Sequence, residues 1–294
     1  MLIQNKFKKK MNQIVRKLTV LVLISFSCFL LTRCTKMNHD VKFDIKSVEK
    51  KTEIHLTDDQ DSPTCSFAQV YTYLDESSKD TLIQKINSNI KEELFGPEYK
   101  LIPNEVLVDS FLAKYIVDYK ADVLELYLED KKNTSDENEY QPSWYSYEYD
   151  QNTSIKEGKK NILNYMSTIM EYRGGAHPNT WHIWLNVDKK TGNILKKQDV
   201  FISGSENIII EMIKNELVKQ YSEIFPDESF KTFDDIADHG SLLIDQSEMY
   251  IPENFLLKED GVEFLYNQYE IFPYAHGPSF ITLPYSDLSK YMLY

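Results

Sequence analysis

The order of its apolar patterns is the feature that most limits how this chain can fold. An aromatic and β-branched segment at residues 64–74 predicts a strand. It is followed by Leu82, Ile86, Ile90 and Leu94, whose spacing of four residues predicts an amphipathic helix. Strands and helices then continue without a regular βαβ alternation, which favours an α+β fold. We therefore predict two packed subdomains with mixed or antiparallel sheets and amphipathic helices.

Cap and turn signals place the remaining elements along the chain. Ser77 or Ser78 is the predicted start of the first helix, and Gly96 is its predicted stop. Ser205 is the predicted cap of a later helix, and the segment 231–240 is predicted to be an acidic loop leading into a strand. The other predicted elements are a helix at 105–130, strands within 144–154, 159–175 and 180–195, a hairpin at 254–277 that turns at Asp260-Gly261, and a strand with a short helix at 279–294.

The N-terminus carries the signals that bear on location. A basic stretch, KFKKKMNQIVRK, precedes a short apolar run, LTVLVLISFSCFLL, and this order predicts an export signal. The run is shorter than the about 20 apolar residues of a membrane-spanning helix. LLTRC, ending at Cys34, resembles a bacterial lipobox, although Arg33 replaces the usual small residue and Cys28 is a competing site. We predict a lipid anchor at Cys34 in the bacterial cell envelope, with the outer membrane as the default. A secreted, lipid-free protein is the alternative.

The charge of the chain restricts its partners. Residues 1–33 hold seven Lys or Arg and no Asp or Glu, so their removal takes the formal net charge from −13 to −20. Binding to a phosphate backbone depends on Lys and Arg, so no nucleic-acid partner is expected. A strongly acidic surface attracts cationic partners; the alternative is that it only keeps the protein soluble.

Nucleophilic catalysis, disulfides and phosphate binding have no support in the sequence. Cys65 is the one cysteine beyond Cys34, so the body of the protein forms no internal disulfide, and its stability depends on an ordinary core. No G-x-S-x-G elbow is present, and the RGGAH motif is not followed by the Gly-Lys-Ser/Thr of a phosphate-binding loop.

Two histidines and one acidic segment are the candidates for metal chemistry. His177 and His276, with an unidentified carboxylate, are the ligands that the sequence offers for zinc, which needs three or four converging ligands. Histidines held in turns and strands by hydrogen bonds are the alternative. Thr-Phe-Asp-Asp at 232–235 resembles the first motif of polysaccharide deacetylases, but Ile236 replaces its glycine and no His-Ser/Thr-x-x-His motif follows. No metal and no cofactor are predicted.

Four motifs follow one another in the second half of the chain. They are YRGGAH at 172–177, LNVDKKTGNILKKQDVF at 185–201, YNQYEIFPYAHG at 266–277 and ITLPYSDLSKYM at 281–292. Together they resemble the RsiV-type C-terminal domain of extracytoplasmic anti-sigma factors and envelope lipoproteins. The upstream segment resembles the PdaC-type domain that is attached to some peptidoglycan deacetylases. The predicted organisation is a signal peptide at 1–33, a tether at 34–62, a PdaC-like domain at 63–170 and an RsiV-like domain at 171–294.

The resemblance implies a binding function. One member of the RsiV-type family binds lysozyme, a cationic protein, and the deacetylase-linked domain implies contact with peptidoglycan glycan. We expect a non-catalytic envelope lipoprotein that binds one of these partners. The alternative is an envelope glycan hydrolase or deacetylase that uses His177 and His276 with a metal or an acidic partner. Aromatic residues of the motifs suit a sugar or protein ligand but also suit a core. The candidate ligand-binding residues are Tyr172, Gly174, Gly175, His177, Tyr269, Tyr274 and His276.

Overall fold

The computed structural model describes residues 43–133, 142–228, 230–239 and 242–294. The predicted export signal, Cys28 and the predicted lipidation site Cys34 lie outside these residues. No helix in the described ranges combines the length and the apolar composition that a bilayer crossing requires. The first described strand, Ile45–His55, lies inside the segment predicted to be a tether.

Six strands of the described chain form one sheet, in the order β1-β2-β3-β4-β5-β6. β2 and β3 pair in parallel, and every other neighbouring pair is antiparallel. A parallel pair needs a long crossover, because a short turn reverses the chain direction. The strands are β1 (Ile45–His55), β2 (Thr64–Leu74), β3 (Tyr147–Glu157), β4 (Ile162–Tyr172), β5 (Asn179–Asp188) and β6 (Ile194–Leu195).

Two helices lie in the crossover between β2 and β3. Helix α1 (Thr81–Phe95) ends at Gly96, as predicted, but it begins at Asp80 and not at a serine. The carboxylate of Asp80 accepts a hydrogen bond from the backbone N–H of Leu82 at 2.8 Å, which satisfies one free donor of the first turn. The serine prediction was wrong because Asp80 lies closer to the helix and is an equally good cap.

Helix α2 (Asn104–Asn133) packs an aromatic face on the six-stranded sheet. The ring of Phe67 on β2 stacks on the ring of Tyr149 on β3, with centroids 5.3 Å apart and an interplanar angle of 9°. Tyr145, Tyr147 and Tyr149 are all buried on this side, which confirms the face predicted from their alternation. Other large buried residues of this core include Tyr71, Tyr73, Tyr99, Leu107, Tyr115, Tyr119 and Tyr127.

A second, three-stranded antiparallel sheet has the order β7-β8-β9. Its first two strands form the hairpin predicted at Asp260-Gly261. Helices α3 to α6 contribute residues to the core of this sheet, and α4 buries Ile209, Ile213 and Leu217 in it together with Phe264. The elements are β7 (Asn254–Leu257), β8 (Gly261–Tyr266), β9 (Ser279–Pro284), α3 (Lys197–Val200), α4 (Glu206–Ile224), α5 (Phe233–Asp238) and α6 (Tyr285–Leu288).

Two local predictions in this half need correction. Ser205 is at the start of α4, but its hydroxyl donates to the carbonyl of Ile202 and makes no cap bond to the helix. The predicted acidic loop at 231–240 is largely helix α5, and Gly240 lies outside the described residues. Thr232 and Asp235 form a capping box, in which each side chain bonds the backbone of the other residue. The aspartates that resembled a deacetylase motif therefore belong to a helix start.

Asparagine side chains join the two sheets. The amide of Asn186 on β5 donates to the carbonyl of Phe255 at 2.7 Å and accepts from the N–H of Leu257 at 2.7 Å. Through these bonds the side chain of Asn186 satisfies backbone groups of β7, which is not paired with β5 through its backbone. The predicted domain boundary at 170/171 falls within β4, and Lys42–Tyr294 forms one compact unit. The α+β prediction with mixed and antiparallel sheets is confirmed.

Candidate binding surface

The RGGAH motif forms the turn between β4 and β5. Gly174 has φ +78°, and a Cβ at this position would lie 2.6 Å from the carbonyl oxygen of Trp144. Gly175 has φ +101° but faces open space. The phenol of Tyr172 donates to the carbonyl of Gly175 at 3.0 Å, which closes the turn. Both glycines thus have the positive φ predicted for them, and Gly174 also has the predicted close backbone approach. Their role in ligand binding stays a prediction.

His177 lies on the exposed tip of this turn and contacts two tyrosines. Its ring stacks on Tyr274, with centroids 3.7 Å apart and an interplanar angle of 21°. Its Nε2 is 3.3 Å from the hydroxyl of Tyr269, and its Nδ1 is 2.9 Å from the carbonyl oxygen of Pro178. Three of the predicted residues, far apart in sequence, therefore meet at one surface. We call His177, Tyr269 and Tyr274 the aromatic cluster.

Tyr269 has an unusual backbone for a large residue. Its φ is +66°, in the left-handed region that favours glycine and asparagine. The conformation is held by a turn in which the N–H of Tyr269 donates to the carbonyl of Phe272 at 3.2 Å. The side chain is 50% exposed, so burial of the ring does not account for the backbone strain. Strain that persists in an exposed position is typical of residues with a function.

Amide side chains fix the Tyr269 turn against β5. Gln268 Oε1 accepts from the N–H of Thr180 at 3.3 Å. Asn267 Oδ1 accepts from the N–H of His182 at 2.7 Å, and its Nδ2 donates to the carbonyl of the same residue at 3.1 Å. These bonds hold the segment carrying Tyr269 beside the strand that follows the RGGAH turn. The position of Tyr269 relative to His177 is therefore fixed.

His182 and Phe280 extend the surface along β5. His182 Nδ1 is 3.0 Å from the hydroxyl of Thr168, and burial lowers the pKa of His182 below 6.5. Its ring meets Phe280 edge-on at 6.0 Å. Phe280 is 42% exposed and also contacts Trp184 at 5.8 Å. A band of apolar rings thus continues away from the turn.

His276 is placed apart from the aromatic cluster. Its ring stacks between Phe272, at 4.1 Å, and Tyr221 of α4, at 5.3 Å. Both ring nitrogens are buried, and this burial lowers the pKa of His276 below 6.5. His177 is exposed on the turn, so the two histidines do not face one open cleft. The hypothesis of a catalytic or metal site shared by His177 and His276 therefore has no geometric support.

The described side chains also offer no metal site. No group of three or more His, Cys, Asp or Glu in this part of the chain is arranged to hold a metal ion. Cys65 is buried under α2, and burial raises the pKa of its thiol to about 11, which suits a core residue and not a nucleophile.

Sequence reasoning missed four residues that shape this surface. Asn267 and Gln268 hold the Tyr269 turn, and their neighbours in the YNQYEIFPYAHG motif gave no sign of their bonding to β5. Trp144 is 61% exposed, and its carbonyl oxygen leaves no room for a side chain at position 174. Besides Glu171, Arg173 contacts the rings of Tyr115 and Tyr147, which lie 58 and 26 positions away in the chain. Only a fold that places α2 over β3 reveals these contacts.

Comparison with protein families finds one match, in the C-terminal part of the chain. Residues 198–286 match the model of DUF3298, a protein family of unknown function. No curated protein is significantly similar to the chain. The matched residues include Tyr269 and Tyr274, whereas the RGGAH turn lies upstream of them.

Two solved structures resemble the chain over most of its length. A DUF3298 family member from Bacteroides fragilis NCTC 9343 has a TM-score of 0.74 and 27% identity, over 85% of this chain and 93% of that one. A DUF3298 family protein from Pseudomonas aeruginosa PAO1 has a TM-score of 0.52 and 14% identity, over 85% and 94%, and shows the likeness of fold alone. The PdaC-type and RsiV-type assignments stay predictions. Residues 198–286 of the chain form a DUF3298 domain.

Proposed function

We propose that the protein is a non-catalytic binding module and that its partner contacts the aromatic cluster. The observation that carries the proposal is Tyr269, whose half-exposed ring is held at a φ of +66° beside Tyr274 and His177. Large, rigid aromatic side chains supply much of the energy of protein and glycan recognition. A strained backbone that presents such a ring to solvent supports a role in recognition over a role in packing.

A basic protein of the lysozyme type is the proposed partner. The formal net charge of −20 beyond residue 33 would attract a cationic protein and speed its association. Tyrosines are favoured at the centres of protein interfaces, so the aromatic cluster would be the central contact. The resemblance to the RsiV-type domain supports the same class of partner.

Peptidoglycan glycan is the second candidate, and a separate observation favours it. The ring of Tyr269 is exposed next to that of Tyr274, with centroids 5.7 Å apart. Sugar rings bind by stacking on aromatic faces of this kind. A glycan has no positive charge, so its binding would depend on the aromatic rings and not on the net charge of −20.

The envelope location is part of the proposal. The export signal and the lipid anchor at Cys34 would hold the binding module at the membrane, where it would meet both partner classes. Labelling with radioactive palmitate tests this anchor: the full-length chain should incorporate label, and Cys34→Ala should abolish it. Label that persists in Cys34→Ala and disappears in Cys28→Ala would move the anchor to Cys28.

Binding should be measured with the full-length chain in detergent, against egg-white lysozyme and against purified peptidoglycan strands. Lysozyme binding should be strong at low ionic strength and weaken in salt, because charge attraction is screened. Glycan binding should change little with salt. Tyr274→Ala should weaken either interaction, whereas Leu101→Ala, which removes an apolar side chain that is 87% exposed elsewhere, should not. Absence of binding to both probes would refute the proposal.

A further inference from the structure

Arg173 occupies a cage of tyrosine rings and carboxylates. Its guanidinium carbon is 5.7 Å from the ring centroid of Tyr115 on α2 and 5.7 Å from that of Tyr147 on β3. Its Nε donates to Glu171 Oε1 at 2.8 Å, and its Nη1 is 3.9 Å from Asp122 Oδ2. A cation placed between two aromatic faces and two carboxylates is held from several directions.

The walls of this cage are themselves fixed. The phenol of Tyr115 donates to the same Glu171 Oε1 at 2.8 Å, and the phenol of Tyr147 donates to Asp122 Oδ2 at 3.2 Å. Burial, with Asp122 nearby, raises the pKa of Tyr147 to about 12, so the phenol stays a neutral donor. Each carboxylate therefore bridges a tyrosine and Arg173, and the cage connects α2, β3 and the end of β4.

Arg173 lies at the start of the turn that carries His177, so the cage also fixes where that turn begins. Arg173 directly precedes Gly174 and Gly175, the two residues with the least restricted backbone in the turn. Beyond the turn, the N–H of Thr180 is held by Gln268. The path of the chain from Arg173 to Thr180 is thus fixed at both ends, and His177 lies between them.

We propose that Arg173 is a positioning residue for the aromatic cluster. By fixing the start of the RGGAH turn on α2, it places the imidazole of His177 on the ring of Tyr274. Lysine would not replace it fully, because an ammonium lacks the planar fork that lies between two rings while it bonds Glu171. The proposal depends on the proposed function only in its effect on a partner, since the placement of His177 is a property of the protein alone.

Histidine NMR of the full-length chain, labelled with ¹³C-histidine in detergent, tests this placement directly. In the parent protein, the His177 ring protons lie over the face of Tyr274 and should be shifted upfield by its ring current. The His177 signals are assigned by their loss in His177→Ala. In Arg173→Ala they should move to the position of a free imidazole, and Arg173→Lys should give an intermediate shift.

Hydrogen exchange provides a second readout on the same samples. Amides of residues 174–177 should exchange about tenfold faster in Arg173→Ala, because the turn loses its anchor while the strands stay paired. Lys131→Ala is the matched control. Its ammonium is 5.6 Å from the ring centroid of Tyr127 and 3.0 Å from Asp59, a similar contact near the C-terminal end of α2.

Two outcomes overturn the proposal. One is an unchanged His177 signal in Arg173→Ala, and the other is an equal change in Lys131→Ala, which would indicate a general loosening of α2. If Arg173→Ala does not fold, Asp122→Asn and Arg173→Gln replace it, and an unchanged His177 signal in both variants overturns the proposal equally. All these measurements are made without a partner, so a failure to bind lysozyme or glycan leaves their result intact.

Discussion

The side chain of Asn267 pairs with the backbone of His182 at both of its ends. Oδ1 accepts from the N–H at 2.7 Å, and Nδ2 donates to the carbonyl at 3.1 Å, as a neighbouring strand would. Among the described residues, β6 continues the sheet beside β5 only at Asn186 and Val187. One asparagine thus connects the six-stranded sheet to the turn that presents Tyr269.

Asn267→Ala should destabilise the protein, because the half-buried N–H and carbonyl of His182 lose their partner together. We expect a loss of about 1–3 kcal/mol in the free energy of unfolding, measured by urea denaturation. Asn152→Ala, at an exposed position of β3, is the control and should change little. Equal losses in the two variants would show that the bonds to His182 are not what matters.

Gly174→Ala and Gly175→Ala should differ in severity, although both glycines have positive φ. Gly175 faces open space, so Gly175→Ala should cost about 1–2 kcal/mol from backbone strain alone. Gly174→Ala should lower the free energy of unfolding by about 1–3 kcal/mol more than Gly175→Ala, because its Cβ would meet the carbonyl oxygen of Trp144. The measurement is thermal or urea unfolding. A milder effect at Gly174 would contradict the close approach to Trp144.

Tyr269→Asn should separate stability from binding. Asparagine accepts a positive φ at little cost, so the relief of about 1–2 kcal/mol of strain should offset the lost ring contacts and leave stability close to that of the parent. Binding of the partner should fall about tenfold or more, because the exposed ring is gone. Lys160→Asn is the control, since Lys160 also has a positive φ, of +51°, but lies in the β3–β4 turn. It should gain stability and keep its affinity. A loss of affinity equal to that of Tyr269→Asn would contradict the role of the ring.

The stability of the protein should fall as the pH drops below about 6.5, in part because of His276. Burial lowers the pKa of His276, so in this range the unfolded chain binds a proton that the folded protein excludes. The contribution is at most about 1.4 kcal/mol for each pH unit, and it ends at the pKa of the folded state. His276→Phe keeps a ring in the stack and removes the titration. Urea unfolding at several pH values should give the variant a smaller slope, and equal slopes would contradict the prediction.

Periodic patterns made most of the secondary structure predictable. The four-residue spacing from Leu82 to Leu94 marked α1, and the alternation at Tyr145, Tyr147 and Tyr149 marked the face of β3. These patterns are readable because a buried face repeats with the geometry of its own element. The predicted cap at Ser77 or Ser78 was wrong because Asp80, nearer to the helix, takes that role, and the predicted loop at 231–240 was wrong because Thr232 and Asp235 cap a short helix there. Ser205 is the cap residue of α4 as predicted, but its hydroxyl bonds the carbonyl of Ile202 and not the helix.

The candidate surface was predictable only in part. His177, Tyr269 and Tyr274 could be named from their motifs, and they meet in the structure. The separation of His276 from them could not be read from the sequence, because His276 follows Tyr274 by only two residues and yet its ring packs on Phe272 and Tyr221. Arg173 was missed for a similar reason, since apart from Glu171 its partners come from α2 and β3 and share no local pattern with it.

The parallel pairing of β2 and β3 also bears on how the protein reaches its fold. Thr64 and Ser146, which contact each other at the start of this pair, are 82 positions apart. The chain must close a loop of that length before the central sheet exists, and pairings between distant residues slow folding. Until β3 arrives, one edge of the aromatic strand β2 has no partner, and an open edge invites pairing with another chain. The α1–α2 segment, which folds from local contacts, is the element placed to bring β3 to that edge before a second molecule does.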